Sequence, residues 1–344
     1  MEIHKKFKVI IDIVESKKKL KGALTPEERA YYIKLSKVDT IIVTGGRNSF
    51  KSYSMSLILV ILTIVYDFKT LFTRYTMNSA EDSIIPEITE KIELLGFLKY
   101  VRILKKRIIR TSEDINEKSD VENKPRIVFK GVKTSAGNQT ASLKSLKGFN
   151  CFVLDEAEEH NSYKDWKKVF RSIRHLTLPN LSILILNPTP KTHWIYKEFF
   201  KKKGLKGGTN QVIDNICYIH MVYTDMLQYV PANILAEFER TKIENPKEYR
   251  EVIMGGFQDA PEGVLFPIDK LNRFDLKTFN YQNVTGRIGI IDVADSGKDY
   301  FSFPIIYEIE RQFYVVDVLH TNKDFTITKP ETINKALEHK LDYA

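Results

Sequence analysis

The chain has 344 residues, enough for two domains with separate cores. Hydrophobic residues make up 43% and charged residues 28%, a globular balance that excludes a low-complexity chain. The net charge of +9 and the pI of about 9.1 point to a polyanionic partner, nucleic acid first. Cys151 and Cys217 both sit in apolar runs, which argues against a disulfide framework and for a reducing compartment. The start, Met1-Glu2-Ile3-His4-Lys5-Lys6, leads into mixed charge rather than a secretory signal. The longest apolar run, Leu57 to Tyr66, is too short for the ~20 residues a membrane span requires.

Residues 5–37 are basic with helical patches. Thr25-Pro26-Glu27-Glu28 is a helix start, with Thr as N-cap, Pro at the first position and acids in the first turn. Ile41 to Thr44 is β-branched and continuously apolar, which predicts a fully buried strand. It runs into Gly45-Gly46-Arg47-Asn48-Ser49-Phe50-Lys51-Ser52 and then a helix expected over Ser52 to Tyr66. Strand, glycine-rich turn, Lys-Ser and helix is the order of a phosphate-binding loop, in which backbone N–H groups and the helix N-terminus face phosphates. In the pattern G-x-x-x-x-G-K-[ST], Phe50 stands where the second glycine belongs. Tyr31 and Tyr32 precede this strand, as a flank for a nucleotide's base or as core aromatics.

A strand is expected over Lys69 to Tyr75, completing a βαβ unit and hence a partly parallel sheet. A helix follows within Ser79 to Leu98, then a short strand over Arg126 to Lys130. Residues 133–148 are polar and small, with Lys133, Lys144 and Lys147. They read as a solvated loop or as one that faces phosphate or DNA.

Asn150-Cys151-Phe152-Val153-Leu154-Asp155-Glu156-Ala157 is an apolar strand ending in two acids. A carboxylate at such a tip can hold Mg²⁺ beside the β- and γ-phosphates, and its neighbour can activate water. In an open α/β sheet the strand C-termini gather at one edge, where ligands bind. The two motifs together predict ATP binding and hydrolysis. A third strand, Leu181 to Leu186, ends in Asn187-Pro188 at the same edge. Asn187 can bond the attacking water or the γ-phosphate, or simply end the strand in a turn.

With its internal arginine, Gly45 to Ser52 resembles the altered phosphate loop of phage terminase large subunits, the ATP-driven motors that package viral DNA. Val153-Leu154-Asp155-Glu156-Ala157 resembles their acid pair, and Leu186-Asn187-Pro188 their coupling motif. Gly255-Gly256-Phe257-Gln258-Asp259-Ala260-Pro261-Glu262-Gly263-Val264-Leu265-Phe266-Pro267 resembles their junction between ATPase and nuclease. The resemblance runs from about residue 35 to the end. It implies an α/β fold: a P-loop, RecA/ASCE-like, mostly parallel sheet with flanking helices, followed by an incomplete RNase H-like α/β domain. The expected boundaries are an ATPase domain over 1–260, a connector over 261–285 and the first part of a nuclease over 286–344.

Carried over by residue, the nucleotide contacts fall on Gly45, Gly46, Arg47, Asn48, Ser49, Phe50, Lys51 and Ser52. Lys51 contacts the β/γ-phosphates, Ser52 and Asp155 serve Mg²⁺, Glu156 activates water and Asn187 couples. The family's trans-acting finger is an arginine shortly before the acid pair. Here that stretch holds Lys144 and Lys147, so Lys144 is the candidate, with Arg126, Arg171 and Arg174 as alternatives. In the second domain Asp292, at the end of a strand begun at Arg287, matches the first metal ligand of a Mg²⁺- or Mn²⁺-dependent nuclease. Asp295 and Asp299 are ligands or turn caps, and Asp317 lies inside the third strand.

The remaining nuclease carboxylates of the family come from elements later than Ala344, so ATPase without specific DNA cleavage is expected of these residues. The implied partners are double-stranded DNA, the portal of the procapsid, the small terminase subunit and further copies of the chain in a ring on the portal. The implied location is the host cell cytoplasm, away from membranes. Two other readings share parts of the pattern. A helicase-like or repair DNA-dependent ATPase shares the loop and the acid pair. A non-enzymatic DNA-binding scaffold with a degenerate nucleotide site is suggested by Phe50.

Overall fold

The computed structural model describes residues 3–74, 84–111, 125–134, 137–138, 148–175, 178–258, 271–293 and 300–343. It divides into two compact units, Met1–Val264 and Leu265–Ala344. Among the described residues no helix is long and apolar enough to cross a membrane.

In the first unit α1 (Lys5–Lys19) and α2 (Pro26–Leu35) precede β1 (Thr40–Gly45), which is followed by α3 (Lys51–Ile64), β2 (Thr70–Arg74) and α4 (Ile84–Leu94). The short strands β3 (Val101–Leu104) and β4 (Arg107–Arg110) lead to β5 (Pro125–Gly131) and to the two-residue pair β6 (Lys133–Thr134) and β7 (Gly137–Asn138). Then come β8 (Cys151–Leu154), α5 (Tyr163–Phe170), β9 (Leu181–Leu186), β10 (Gln211–Ile213) and β11 (Ile216–Met221). The unit continues through α6 (Ala232–Glu244) and α7 (Pro246–Glu248), which passes into a π-helical turn, Tyr249–Ile253.

Among the described residues a nine-stranded sheet runs β10-β11-β1-β9-β8-β2-β5-β4-β3. Its central strands, β11-β1-β9-β8-β2-β5, are all parallel. β10 is antiparallel at one edge, and the β3–β4 hairpin is antiparallel at the other. The sequence predicts no strand between the helix within Ser79 to Leu98 and the strand at Arg126, and this hairpin lies in that interval.

The parallel strands are rich in apolar residues because both sheet faces are covered, and β1, β9, β8 and β11 are buried along their whole length. Ile41 and Val43 of β1 face one cluster, with Phe7, Ile10 and Met55 from the helices. Ile42 faces the other, with Trp166, Trp194 and Phe199. α2 starts as its sequence predicts: Thr25 Oγ1 accepts from the Glu28 N–H at 3.2 Å, and the Glu28 carboxylate accepts from the Thr25 N–H at 2.9 Å. Tyr31 donates its hydroxyl to Asp12 at 2.9 Å and Tyr32 packs against the core, so this pair ties α2 down.

The second unit is an antiparallel meander, β12 (Gly286–Gly289), β13 (Phe301–Ile309) and β14 (Gln312–Thr321), followed by α8 (Phe325–His339). Along β13 the buried residues alternate, Phe301, Phe303, Ile305 and Tyr307, and form the core of this unit. Glu310 and Arg311, both at positive φ, make the turn between β13 and β14. β12 ends at Gly289, earlier than the sequence suggests. Asp292 is exposed and exchanges both backbone hydrogen bonds with Ser302, at 2.8 and 3.0 Å.

Candidate active site

Because β1, β9, β8 and β2 are parallel neighbours, their C-terminal ends Gly45, Leu186, Leu154 and Arg74 stand side by side. The loop after β1 opens onto a cleft of about 670 Å³ lined by Gly46 to Tyr53, Asn187 and Gln258. α3 begins at Lys51, so its N-terminus faces this cleft.

Phe50, the residue in the glycine position, adopts the conformation that glycine would: φ 57°, ψ 20°. For an L-residue this left-handed geometry costs about 1–2 kcal/mol. Its side chain provides a compensating contact, packing against a cluster of Tyr223, Val230, Phe238 and Ile253, with Tyr229 6.2 Å away ring to ring. Asn48 also has positive φ, and Ser49 is buried.

The loop is braced by the distant 252–255 segment. Arg47 donates its backbone N–H to Val252 O at 3.1 Å. A Cβ on Gly46 would stand 1.8 Å from Ile253 O, and one on Gly255 (φ 70°) would stand 2.5 Å from Gly46 N. Only glycines allow the two backbones to meet this closely. A buried chain of hydrogen bonds fixes the same corner. Met254 O can only accept, so His220 carries its proton on Nε2 (3.0 Å), and Nδ1 accepts from Thr44 Oγ1 at 2.8 Å. Burial holds the His220 pKa below its usual value.

Asp155 is buried and Glu156 half-buried, immediately after β8. Arg74, from the end of β2, contacts both: Nε lies 2.7 Å from Asp155 Oδ2 and Nη2 lies 3.1 Å from Glu156 Oε1. Burial pushes the Glu156 carboxyl above the usual range, and Arg74 opposes that rise. Lys51 is pulled below the usual lysine range by burial, against the charges of Glu158, Asp155 and Glu156. Lys51 Nζ donates to Asn187 Oδ1 at 2.7 Å. Asn187 in turn donates to Glu158 Oε1 from Nδ2 at 2.8 Å and from its backbone N–H at 3.2 Å.

The fold therefore brings together Gly45 to Ser52, Asp155, Glu156 and Asn187, and adds two residues not singled out in the sequence, Arg74 and Glu158. Lys144 and Lys147 lie outside the described residues, as do Asp295, Asp299 and most of the Gly255–Pro267 junction. Arg126 is buried at the start of β5 in an ion pair with Asp67 at 2.8 Å, at the opposite end of the parallel strands. Arg174 donates its backbone N–H to Phe149 O, ahead of β8, at that same opposite end.

Ser52 and Asp155 offer hard oxygen donors of the kind Mg²⁺ takes together with phosphate oxygens and water, so the donor set fits that ion. Among the described residues no group of three or more His, Cys, Asp or Glu side chains is arranged to hold a metal. In the second unit Asp317 is held by Lys335 and by His339 Nε2 at 3.2 Å. Burial raises its carboxyl, but these partners and the Val318 N–H outweigh that and hold it low. It is an ion-paired link between β14 and α8.

No curated protein matches the chain. The large terminase of a thermophilic bacteriophage shares its fold, with a TM-score of 0.53 at 13% identity over 98% of this chain and 74% of that one. The same thermophilic phage protein in complex with ADP gives a TM-score of 0.50 at 12% identity over 100% and 76% of the two chains. The sequence profile of the phage terminase large subunit matches residues 37–256, the greater part of the chain and the whole nine-stranded sheet with its braced loop. The chain belongs to the phage terminase large subunit family.

Proposed function

We propose that this chain hydrolyses ATP and uses the energy to drive viral double-stranded DNA into a procapsid. The observation that carries the reading is the meeting of Lys51, Asn187 and the Asp155–Glu156 pair at adjacent strand ends. The phosphates bind at the N-terminus of α3, with Lys51 donating to the β- and γ-phosphates. The base lies in a neighbouring cavity of about 420 Å³ that shares Tyr53 with the cleft and is walled by His4, Gln228 and Tyr229. The thermophilic phage terminase's complex with ADP supports a nucleotide in this fold. Ser52 and Asp155 would hold Mg²⁺, which when bound neutralises phosphate charge. Glu156 takes the proton of the attacking water, and its raised pKa suits a general base. Asn187 links the state of the phosphates to the loop after β9.

Hydrolysis at such a site is mostly positioning and charge neutralisation, so a neighbouring copy's cation completes it and a ring on the portal is the active form. Lys144 is our candidate for that cation. Domains of 1–260 and 286–344 joined by 261–285 remain our reading of the organisation. In the second, Asp292 would serve an RNase H-like nuclease together with carboxylates beyond the described residues. The small terminase subunit is a further partner in this reading, and the DNA is gripped by its backbone without base reading. Binding should then weaken steeply with salt.

The test is the ATPase rate of the parent and of Glu156→Ala, with and without procapsids bearing portal. The motor reading expects stimulation of the parent alone. Strand displacement without procapsid stimulation would favour a helicase instead.

A further inference from the structure

Asn187 is held between two groups of opposite hydrogen-bonding character. The Lys51 ammonium donates to Oδ1 at 2.7 Å, and Glu158 Oε1 accepts from Nδ2 at 2.8 Å and from the backbone N–H at 3.2 Å. An ammonium has no acceptor and an ionised carboxylate has no donor, so only one orientation of the amide satisfies both neighbours. Glu158 itself sits on the 3₁₀ turn Ala157–Glu159, directly after the acid pair. Its second oxygen, Oε2, is buried with no hydrogen-bond partner among the described residues. A buried, half-satisfied carboxylate is a costly group in a fold. Burial also raises its pKa, against the hydrogen bonds from Asn187.

We propose that Glu158 is a positioning residue of the hydrolytic site, fixing the Asn187 amide with Oδ1 toward Lys51 so that the phosphate-binding lysine and the loop after β9 act as one hydrogen-bonded unit. The inference rests on the roles given above to Lys51 and Asn187. Lys51 has three N–H donors, so the bond to Asn187 leaves two for phosphate oxygens. Glu158 acts only through Asn187. Without an acceptor at that place the amide is free to turn, and its NH₂ group can then face the ammonium, donor against donor. An amide in place of the carboxyl keeps the needed oxygen.

The test measures kcat and KM for ATP in Glu158→Met, Glu158→Gln, Asn187→Ala and the Glu158→Met/Asn187→Ala double variant, with thermal unfolding as a check. Loss of a charge-assisted hydrogen bond predicts a roughly tenfold lower kcat in Glu158→Met with KM within about twofold. Glu158→Gln should keep most of the parent kcat. On the Asn187→Ala background, Glu158→Met should cost little more, since coupled residues are not additive. If Glu158→Met fails to fold, Glu158→Ala replaces it throughout. Parent-like turnover in Glu158→Met, or costs that simply add, overturns the inference while leaving the ATPase reading intact. Parent-like turnover in Asn187→Ala overturns the role of Asn187 and the inference together.

Discussion

Arg74 Nε lies 2.7 Å from Asp155 Oδ2, and the same guanidinium reaches Glu156, so one cation from β2 orders both acids that follow β8. Asp155 is 4% exposed, and removing the partner of a buried charge is strongly destabilising. Arg74→Ala should therefore lower unfolding free energy by about 3 kcal/mol in urea titrations. Arg74→Lys restores charge but not the fork, so it should recover stability more than turnover. Equal turnover in Arg74→Lys and the parent would mean that bridging the two acids is unimportant.

Phe50 is the N-cap residue of α3 and stands at φ 57°, a left-handed position that glycine adopts more readily than alanine. Both replacements lose the packing of the ring, but only glycine relieves the left-handed strain. Phe50→Gly should be more stable than Phe50→Ala by about 1 kcal/mol. Chemical unfolding of the two variants decides it, and Ala equal to or above Gly would refute the assigned backbone.

Gly255 pairs its strain-free positive φ with a backbone contact to Gly46 that leaves no room for a methyl group. Gly255→Ala should push the 252–255 segment off the phosphate loop. Nucleotide affinity, read by fluorescent-analogue titration, should fall by roughly tenfold, equivalent to about 1.4 kcal/mol. Parent-like affinity would show that the brace does not shape the loop.

His220 gives a pH dependence with a definite sign. Its pKa is held down in the folded state by burial, with Thr44 and Met254 bonded to the neutral ring. Below a pH of about 6.5 the unfolded chain takes up a proton that the folded chain resists, so the stability it contributes is present at higher pH and lost as pH falls. The urea midpoint should drop between pH 7.5 and 5.5, and the drop should be smaller in His220→Asn. An unchanged drop would assign the effect to other groups, such as His160 and His193, which are also held low by burial.

Much of this architecture was legible because the parallel strands are covered on both faces. Ile41 to Val43, Phe152 to Leu154 and Ile183 to Leu186 are continuous apolar runs that no exposed element would carry. The loop was legible because its strand, glycines, lysine and helix are contiguous. Arg74 was not, since a single arginine at a strand end has no local pattern and acquires its meaning only when β2 pairs with β8. Glu158 was hidden in an acidic run, and its role depends on a strand that comes later in the chain. In sequence Gly255 is part of a junction motif, whereas its packing on Gly46 brings together segments far apart in sequence. The β3–β4 hairpin leaves little trace in the sequence because its strands are only four residues each.

The most direct test of the account is ATP turnover by Glu156→Gln beside the parent, with nucleotide affinity measured on the same preparations. Glu156 is given only the work of a general base, so the variant should bind nucleotide as the parent does while its kcat falls by about a hundredfold or more. Turnover equal to the parent, or a loss of binding in place of a loss of turnover, would contradict it.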